Sequence, residues 1–548
     1  MSRRWYPITF SIAALVALPL VVLALSWGEV DTEIWAHLWD TQLPRLLGNS
    51  LVLVLGVGIG VTLLGTSLAW LTALCEFPGR RWLDWALMLP FAIPAYVLAF
   101  VFVGLLDFAG PLQTLLREWF GSGLRLPRVR STGGVILVLV LVFYPYVYLL
   151  ARGAFLAQGR GLTEAARVLG LSPWQAFWRV ALPMARPAIG AGLALAIMET
   201  LADFGAVSVF NFDTFTTAIY KTWYGFYSLS SATQLASLLL LGVFLVVLGE
   251  RHSRGRVVAG SEKPRTAPLY RLRGFKAFAA SAWCGLVFAC AFAIPLAQLL
   301  AWCWQRGRFD LDERYWGLLW HSLGLGATAA ALCVVVGLLL AFARRQTPAK
   351  PVRTAVGLAN LGYAVPGSVL AVAIMLAFSW LDNHWVIPLS SALGGAGKPL
   401  LLGSLGALLL AYLIRFLAVA EGPLESTLMR IRPSFAEASR SLGVAGPALF
   451  ARVYLPLLAP GLMSAALLVF VDVLKEMPAT LLMRPFGWDT LAVRVFEMTS
   501  EGEWARAALP ALSLVLAGLL PVVLLIRRSA ASAAGRDSTV GRGVQAPA

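Results

Sequence analysis

Four carboxylates stand where the chain is otherwise apolar. Glu199 and Asp203 lie four residues apart, and so do Asp472 and Glu476. At that spacing two side chains share one face of a helix. Ionisable groups inside a membrane are costly, so these four point to a function. Gathered along a pore between two halves of a protein, they offer oxygen ligands to a hard cation and lower its barrier to passage. A structural reading competes with this one. Lys475 sits beside Glu476, and its pairing with a carboxylate of the opposite half would leave a neutral lock between helices.

Other chemistry is absent from the sequence. The nearest approach to a phosphate loop is Gly394-Gly395-Ala396-Gly397-Lys398-Pro399. A true loop needs glycine at Ala392 and Ser or Thr at Pro399. The four histidines, His37, His252, His321 and His384, are scattered without ligand spacing. The five cysteines, Cys75, Cys284, Cys290, Cys303 and Cys333, form no CxxC pair and read as small buried hydrophobes. No catalytic residue, metal site or cofactor is therefore expected on this chain.

The elements that must position the carboxylates are membrane helices. Of 548 residues, 59% are hydrophobic and 13% charged, about half the charged share of an average soluble protein. A bilayer core needs about 20 apolar residues per helix. Twelve such runs lie near 8–27, 48–74, 85–106, 134–156, 187–210, 231–249, 278–303, 321–343, 354–380, 400–420, 460–483 and 507–526. The run after Arg3 and Arg4 has the look of a signal peptide, but no persuasive cleavage site precedes Trp27-Gly28-Glu29, so an uncleaved helix is expected. A short surface helix fits the connection 107–133.

The net charge of +16 reads as orientation, not nucleic-acid binding. Basic residues collect at Arg3 and Arg4, Arg80 and Arg81, Arg251 to Lys276, Arg344 to Arg353, and Arg527 and Arg528. The segment after the first run carries Glu29, Asp31, Glu33 and Asp40. This alternation places both termini in the cytoplasm. The connection 107–133, with Arg117, Arg125, Arg128 and Arg130, runs against it.

An internal repeat organises the chain. Glu164-Ala165-Ala166-Arg167-Val168-Leu169-Gly170 returns as Glu437-Ala438-Ser439-Arg440-Ser441-Leu442-Gly443, 273 residues on. The register holds through Leu182-Pro183 and Leu455-Pro456, and through Pro187 and Pro460. At the same register Glu199 matches Asp472, and Asp203 matches Glu476. The expected division is a first half over 1–250 (core 48–249), a cytoplasmic linker over 251–277, a second half over 278–528 (core 321–526), and a disordered cytoplasmic tail over 529–548. Each repeated island, 157–186 and 430–459, reads as a cytosolic elbow. A short helix ends at a glycine that tolerates the left-handed stop. A second helix begins, in the first copy, with Ser172 as N-cap and Pro173 at its first position. Leu182-Pro183 is expected to close that second helix before the next span.

At these residues the chain resembles the permeases of binding-protein-dependent ABC importers, whose EAA loop carries the helix that docks into the ATPase. The motif falls on Glu164, Ala165, Ala166 and Gly170, and on Glu437, Ala438, Ser439 and Gly443, with Ser439 a small departure from alanine. The stretches 198–206, 215–220, 470–480 and 484–492 resemble the fused permeases of ferric iron uptake; fused thiamine permeases share the layout. The resemblance implies an all-α polytopic protein of two six-helix halves in a bacterial inner membrane. It also implies two copies of an ATPase subunit on the cytoplasmic side and a substrate-binding protein outside. A twelve-helix secondary transporter is the competing class, but it has no use for the repeated elbow.

Overall fold

The computed structural model describes residues 5–121, 123, 127–158, 168, 170–253, 270–394 and 397–540. Among them are twelve helices long and apolar enough to cross a membrane. The only β structure among the described residues is a two-residue parallel pairing of Cys75-Glu76 with Tyr270-Arg271. The chain is all-α, as its hydropathy predicts.

Several expected spans are interrupted, and the breaks fall at prolines, glycines and charged residues. The run 85–106 contains the helix Arg80–Ala86, a 3-10 turn Leu89–Ala92, and then the helix Ala95–Leu106 after Pro94. The run 354–380 repeats this pattern, with Lys350–Ala359, the 3-10 turn Asn360–Ala364, and Gly367–Leu381 after Pro366. Proline disfavours helical geometry in the residue before it, so each helix restarts there. The run 187–210 stops at Ala202 and resumes as Gly205–Val209. The run 460–483 stops at Lys475 and resumes as Pro478–Met483. A surface helix, Pro111–Phe120, lies in the third connection.

The chain forms two compact units that cut across the order of the sequence. One gathers 1–54, 198–248 and 305–510; the other gathers 55–197, 249–304 and 511–548. In the first, the spans Glu313–Gln346, Leu405–Arg430 and Leu455–Lys475 pack on one another, and the first span, Trp5–Leu25, lies against Lys350–Ala359 and Gly367–Leu381. The second unit shows the reciprocal arrangement. There the helix Phe275–Phe288, opening the later part of the chain, packs on Arg80–Ala86. Trp82 meets Phe288 at 4.8 Å and Phe100 stacks on Trp302 at 6.2 Å between ring centroids.

Small residues bring the backbones close. A Cβ on Gly56 would stand 2.5 Å from Ile136, and one on Gly60 2.4 Å from Val140. This is how Gly56-Val57-Gly58-Ile59-Gly60 packs its span on Thr132–Ala157, as small-residue stripes do in membranes.

Candidate functional site

The repeated acidic pairs lie where two spans break. Glu199 and Asp472 are on the helices Leu182–Ala202 and Leu455–Lys475. Their partners four residues on are not on the same helix face, contrary to expectation, because both helices have just ended. The reason lies in the carboxylates themselves. Asp203 Oδ2 accepts from the Val207 N–H at 3.0 Å, and Glu476 Oε1 accepts from the Ala479 N–H at 3.2 Å. Each thus satisfies a first-turn donor of the following short helix. The backbone carbonyls are held as well, Asp203 O by Thr216 Oγ1 and Glu476 O by Thr480 Oγ1, both at 2.6 Å.

A cation that the sequence reading passed over sits among these groups. Arg415, on the span Leu405–Arg430, places Nε 3.0 Å from Glu476 Oε2. Its Nη1 donates to the Val365 carbonyl at 2.7 Å. Its charge also acts on Glu199 and Asp472. The Tyr363 hydroxyl is hydrogen-bonded to Glu199, while Lys475 acts on Asp472, one turn back on its own helix. The side chains of Arg415 and Glu476 are 14% and 6% exposed. Glu199, Asp203, Asp472 and Lys475 are only half-buried. All seven residues belong to one compact unit. A signal for Arg415 was available: an arginine inside a leucine-rich run is as costly there as any carboxylate. Tyr363 gave none, since a tyrosine beside a helix break is unremarkable in sequence.

The approach is close. Glu476 Oε1 stands 2.3 Å from where a Cβ on Gly367 would be, so a larger residue at the start of the helix Gly367–Leu381 would displace the Glu476 carboxylate. Among the described residues, no three His, Cys, Asp or Glu side chains are arranged to hold a metal ion.

The elbows lie just before these spans in the chain. Glu164, Ala165 and Ala166 of the first copy fall outside the described residues, as does most of the linker. Gly170 is described, with φ +85°, and Gly443 has φ +78°; both occupy the left-handed region that glycine tolerates. In the second copy the helix Pro433–Ser441 exposes Glu437 and Ala438 and half-buries Ser439, whose hydroxyl donates to Phe435 O at 2.8 Å. The helix ends with Gly443 N–H on Arg440 O at 3.0 Å and Val444 N–H on Ser439 O at 2.9 Å, the paired bonds of a glycine-stopped helix.

In the first copy Ser172 and Gln175 cap each other. Ser172 Oγ accepts from Gln175 N–H at 3.3 Å and Gln175 Oε1 from Ser172 N–H at 3.0 Å, a reciprocal capping box. The helix Pro173–Ala176 does not close at Leu182-Pro183, however. It widens into a π-turn, Phe177–Ala181, and runs on as Leu182–Ala202. The second copy does the same through Phe450–Tyr454 and Leu455–Lys475. The wide turn shifts the bonding register, with Leu182 N–H on Phe177 O and Leu455 N–H on Phe450 O. Proline can follow because the ordinary helical bond it would break is already displaced.

Aromatic rings fasten each π-turn to a neighbouring span. Trp70 meets Phe177 at 4.5 Å; Phe342 meets Phe450 at 5.8 Å and Tyr454 at 5.2 Å. Arg345 donates to the Leu428 and Ile431 carbonyls at 2.5 and 2.8 Å, tying that span to the residues that lead into Pro433–Ser441.

The family described as the binding-protein-dependent transport system inner membrane component matches residues 61–256. Over 96% of its length the chain is 28% identical to the Fe(3+)-transport system permease protein FbpB 2 of Haemophilus influenzae, covering 99% of that protein. It is 30% identical to the molybdenum transport system permease protein ModB of Escherichia coli, over 31% of this chain and 71% of the relative. With the Escherichia coli sulfate transport system permease protein CysW it shares 36% identity over 33% of this chain and 57% of the relative.

Proposed function

The chain belongs to the inner membrane components of binding-protein-dependent transport systems, and from that premise we propose that it is the fused permease of a ferric iron importer. That it is a multi-pass permease subunit of an ABC importer, not itself catalytic, follows from the family. So do its partners, a separate ATPase that binds the ATP and a substrate-binding protein. The substrate is the finer step. The observation that carries it is the gathering of Glu199, Asp472 and Glu476 around Arg415, with Asp203 beside Glu199 and Lys475 beside Asp472, in one compact unit. Four carboxylates against two cations leave a surplus of hard oxygen donors. That surplus attracts a hard cation and repels an oxyanion, although oxyanion permeases are among the relatives. The relative matched along nearly its whole length is named for Fe(3+), which supports the same reading.

In this mechanism two ATPase subunits grip the elbows, one at Glu164, Ala165, Ala166 and Gly170 and the other at Glu437, Ala438, Ser439 and Gly443. Because the second helix of each elbow runs into its span without a break, movement of that helix moves Glu199 or Asp472 with it. The two halves, 1–250 and 278–528, then alternate access from one side to the other, with both termini on the ATPase side. The test is ATP-driven uptake by the permease reconstituted with its ATPase and binding protein. Accumulation of ferric iron, and not sulfate, molybdate or thiamine, is the expected result. ATP-driven accumulation of an oxyanion would overturn the substrate.

A further inference from the structure

We infer that Arg415 is a resident counter-cation of the translocation path: in the empty permease its guanidinium occupies carboxylates that a cationic cargo needs, and it must yield them for the cargo to pass. The inference rests on the cation reading given above. Arginine does not lose its proton in proteins, so Arg415 is a permanent cation among Glu199, Asp472 and Glu476. The repeat gives it no counterpart, since the matching position of the first half, 273 residues earlier, is Val142.

The local geometry suits a group that lets go and returns. Arg415 is anchored independently of its carboxylate, through Nη1 on the Val365 carbonyl at 2.7 Å. That carbonyl belongs to the break before Pro366, where regular helical bonding is suspended. Glu476, for its part, takes the Ala479 N–H on Oε1, the oxygen other than the Oε2 that faces Arg415 Nε. Beside Gly367, the hydroxyl of Ser368 is 1% exposed and has no hydrogen-bond partner, a spare polar atom at the same helix start. Exchange of guanidinium for metal ion therefore leaves neither partner without a polar contact.

The experiment uses terbium(III), a hard trivalent ion, as probe on the permease assembled with its ATPase and binding protein in nanodiscs. Arg415→Gln is expected to bind terbium about tenfold or more tightly than wild type, since a positive charge a few ångströms away has been removed. ATP-driven ferric uptake should slow as the ion dwells, and Arg415→Lys should stay near wild type in both measurements. Adding Asp472→Asn to Arg415→Gln should cancel the gain. If Arg415→Gln fails to assemble, the double variant Arg415→Met with Glu476→Gln removes the ion pair as a unit. It still unmasks Glu199 and Asp472, so tighter terbium binding is expected there too. Wild-type terbium affinity in either charge-removing variant overturns the inference and leaves Arg415 a structural partner of Glu476. A failure of the cation reading itself shows elsewhere, as unchanged uptake when Glu199 and Asp472 are neutralised.

Discussion

The two spans that leave the elbows carry the same acidic pair at the same register, yet their surroundings differ. Asp203 is held by the Val207 N–H, whereas Glu476 is held by the Ala479 N–H and by Arg415. A second contrast lies in the polar clamps of the two halves. In the first, Arg152 grips Asp84 with two bonds of 2.5 Å, and Tyr148 donates to the Asp84 carbonyl at 2.8 Å. In the second, the positions of Tyr148 and Arg152 are Glu421 and Glu425. Glu425 pairs with Arg344 at 2.9 Å and Glu421 accepts from Asn360 at 3.0 Å. The matched positions reach different elements: Arg152 ties its span to the helix Arg80–Ala86, whereas Glu425 ties its span to Glu313–Gln346. Each half thus holds its fourth span by a charge, but against a different neighbour.

The largest effect is expected where the halves agree. Glu199→Gln combined with Asp472→Asn should lower ATP-driven uptake by about a hundredfold or more, because two developing contacts with the cation, each worth about 1.5–3 kcal/mol, are lost together. Assembly with the ATPase should be normal by size-exclusion chromatography. Lost assembly would make the pair a structural lock.

Next come the glycine stops, again alike in both halves. Replacing Gly170 and Gly443 by valine places a β-branched residue at positive φ, at about 1–2 kcal/mol per site. The variant should insert normally and hydrolyse ATP, with uptake reduced about tenfold or more. Unchanged uptake would remove the elbows from the coupling mechanism.

The clamps sharpen the contrast between the halves. Arg152→Ala should lower the melting temperature by an amount equivalent to about 1–3 kcal/mol, since it removes both bonds of a half-buried Asp84; Glu425→Ala should cost less, about 0.2–1 kcal/mol, since Arg344 is more exposed and keeps Glu421 at 3.9 Å. The swap of Asp84→Arg with Arg152→Asp should restore most of the loss in the first half, because it forms the ion pair again. Failure of the swap with full-length insertion would show that the signs are fixed by something beyond the pair.

The smallest effect separates the elbows. Ser172→Ala removes a capping box, and about 1 kcal/mol of local helix stability with it. Ala445 occupies the matching position and makes no side-chain cap, so Ala445→Gly should change little. Hydrogen exchange at 173–176 and 446–449 would resolve the difference; equal loss of protection in both would refute it.

Much of this molecule was legible in its residues. The twelve apolar runs followed from the length of a bilayer crossing, and Gly170 and Gly443 from the need for left-handed backbone at a helix stop. The capping of Ser172 was readable from its place before Pro173. Other features were not. Leu182-Pro183 reads locally as a stop, and only a widened turn five residues earlier lets the helix continue. The pairs Glu199–Asp203 and Asp472–Glu476 read as helix faces, because spacing carries no information about where a carboxylate will take the N–H groups of the next helix.

What the sequence alone determined is periodic and local: the number of crossings, the duplication, the punctuation of the elbows and the rarity of charge within lipid. These depend on neighbours within a few residues, or on solvent averaged over a span. Tertiary structure alone decided which span supplied the cation. Arg415 and Glu476 are far apart in the chain and meet at 3.0 Å, because packing of Glu313–Gln346, Leu405–Arg430 and Leu455–Lys475 brings them together. An ion pair forms by distance in space, and that distance is fixed by how helices pack.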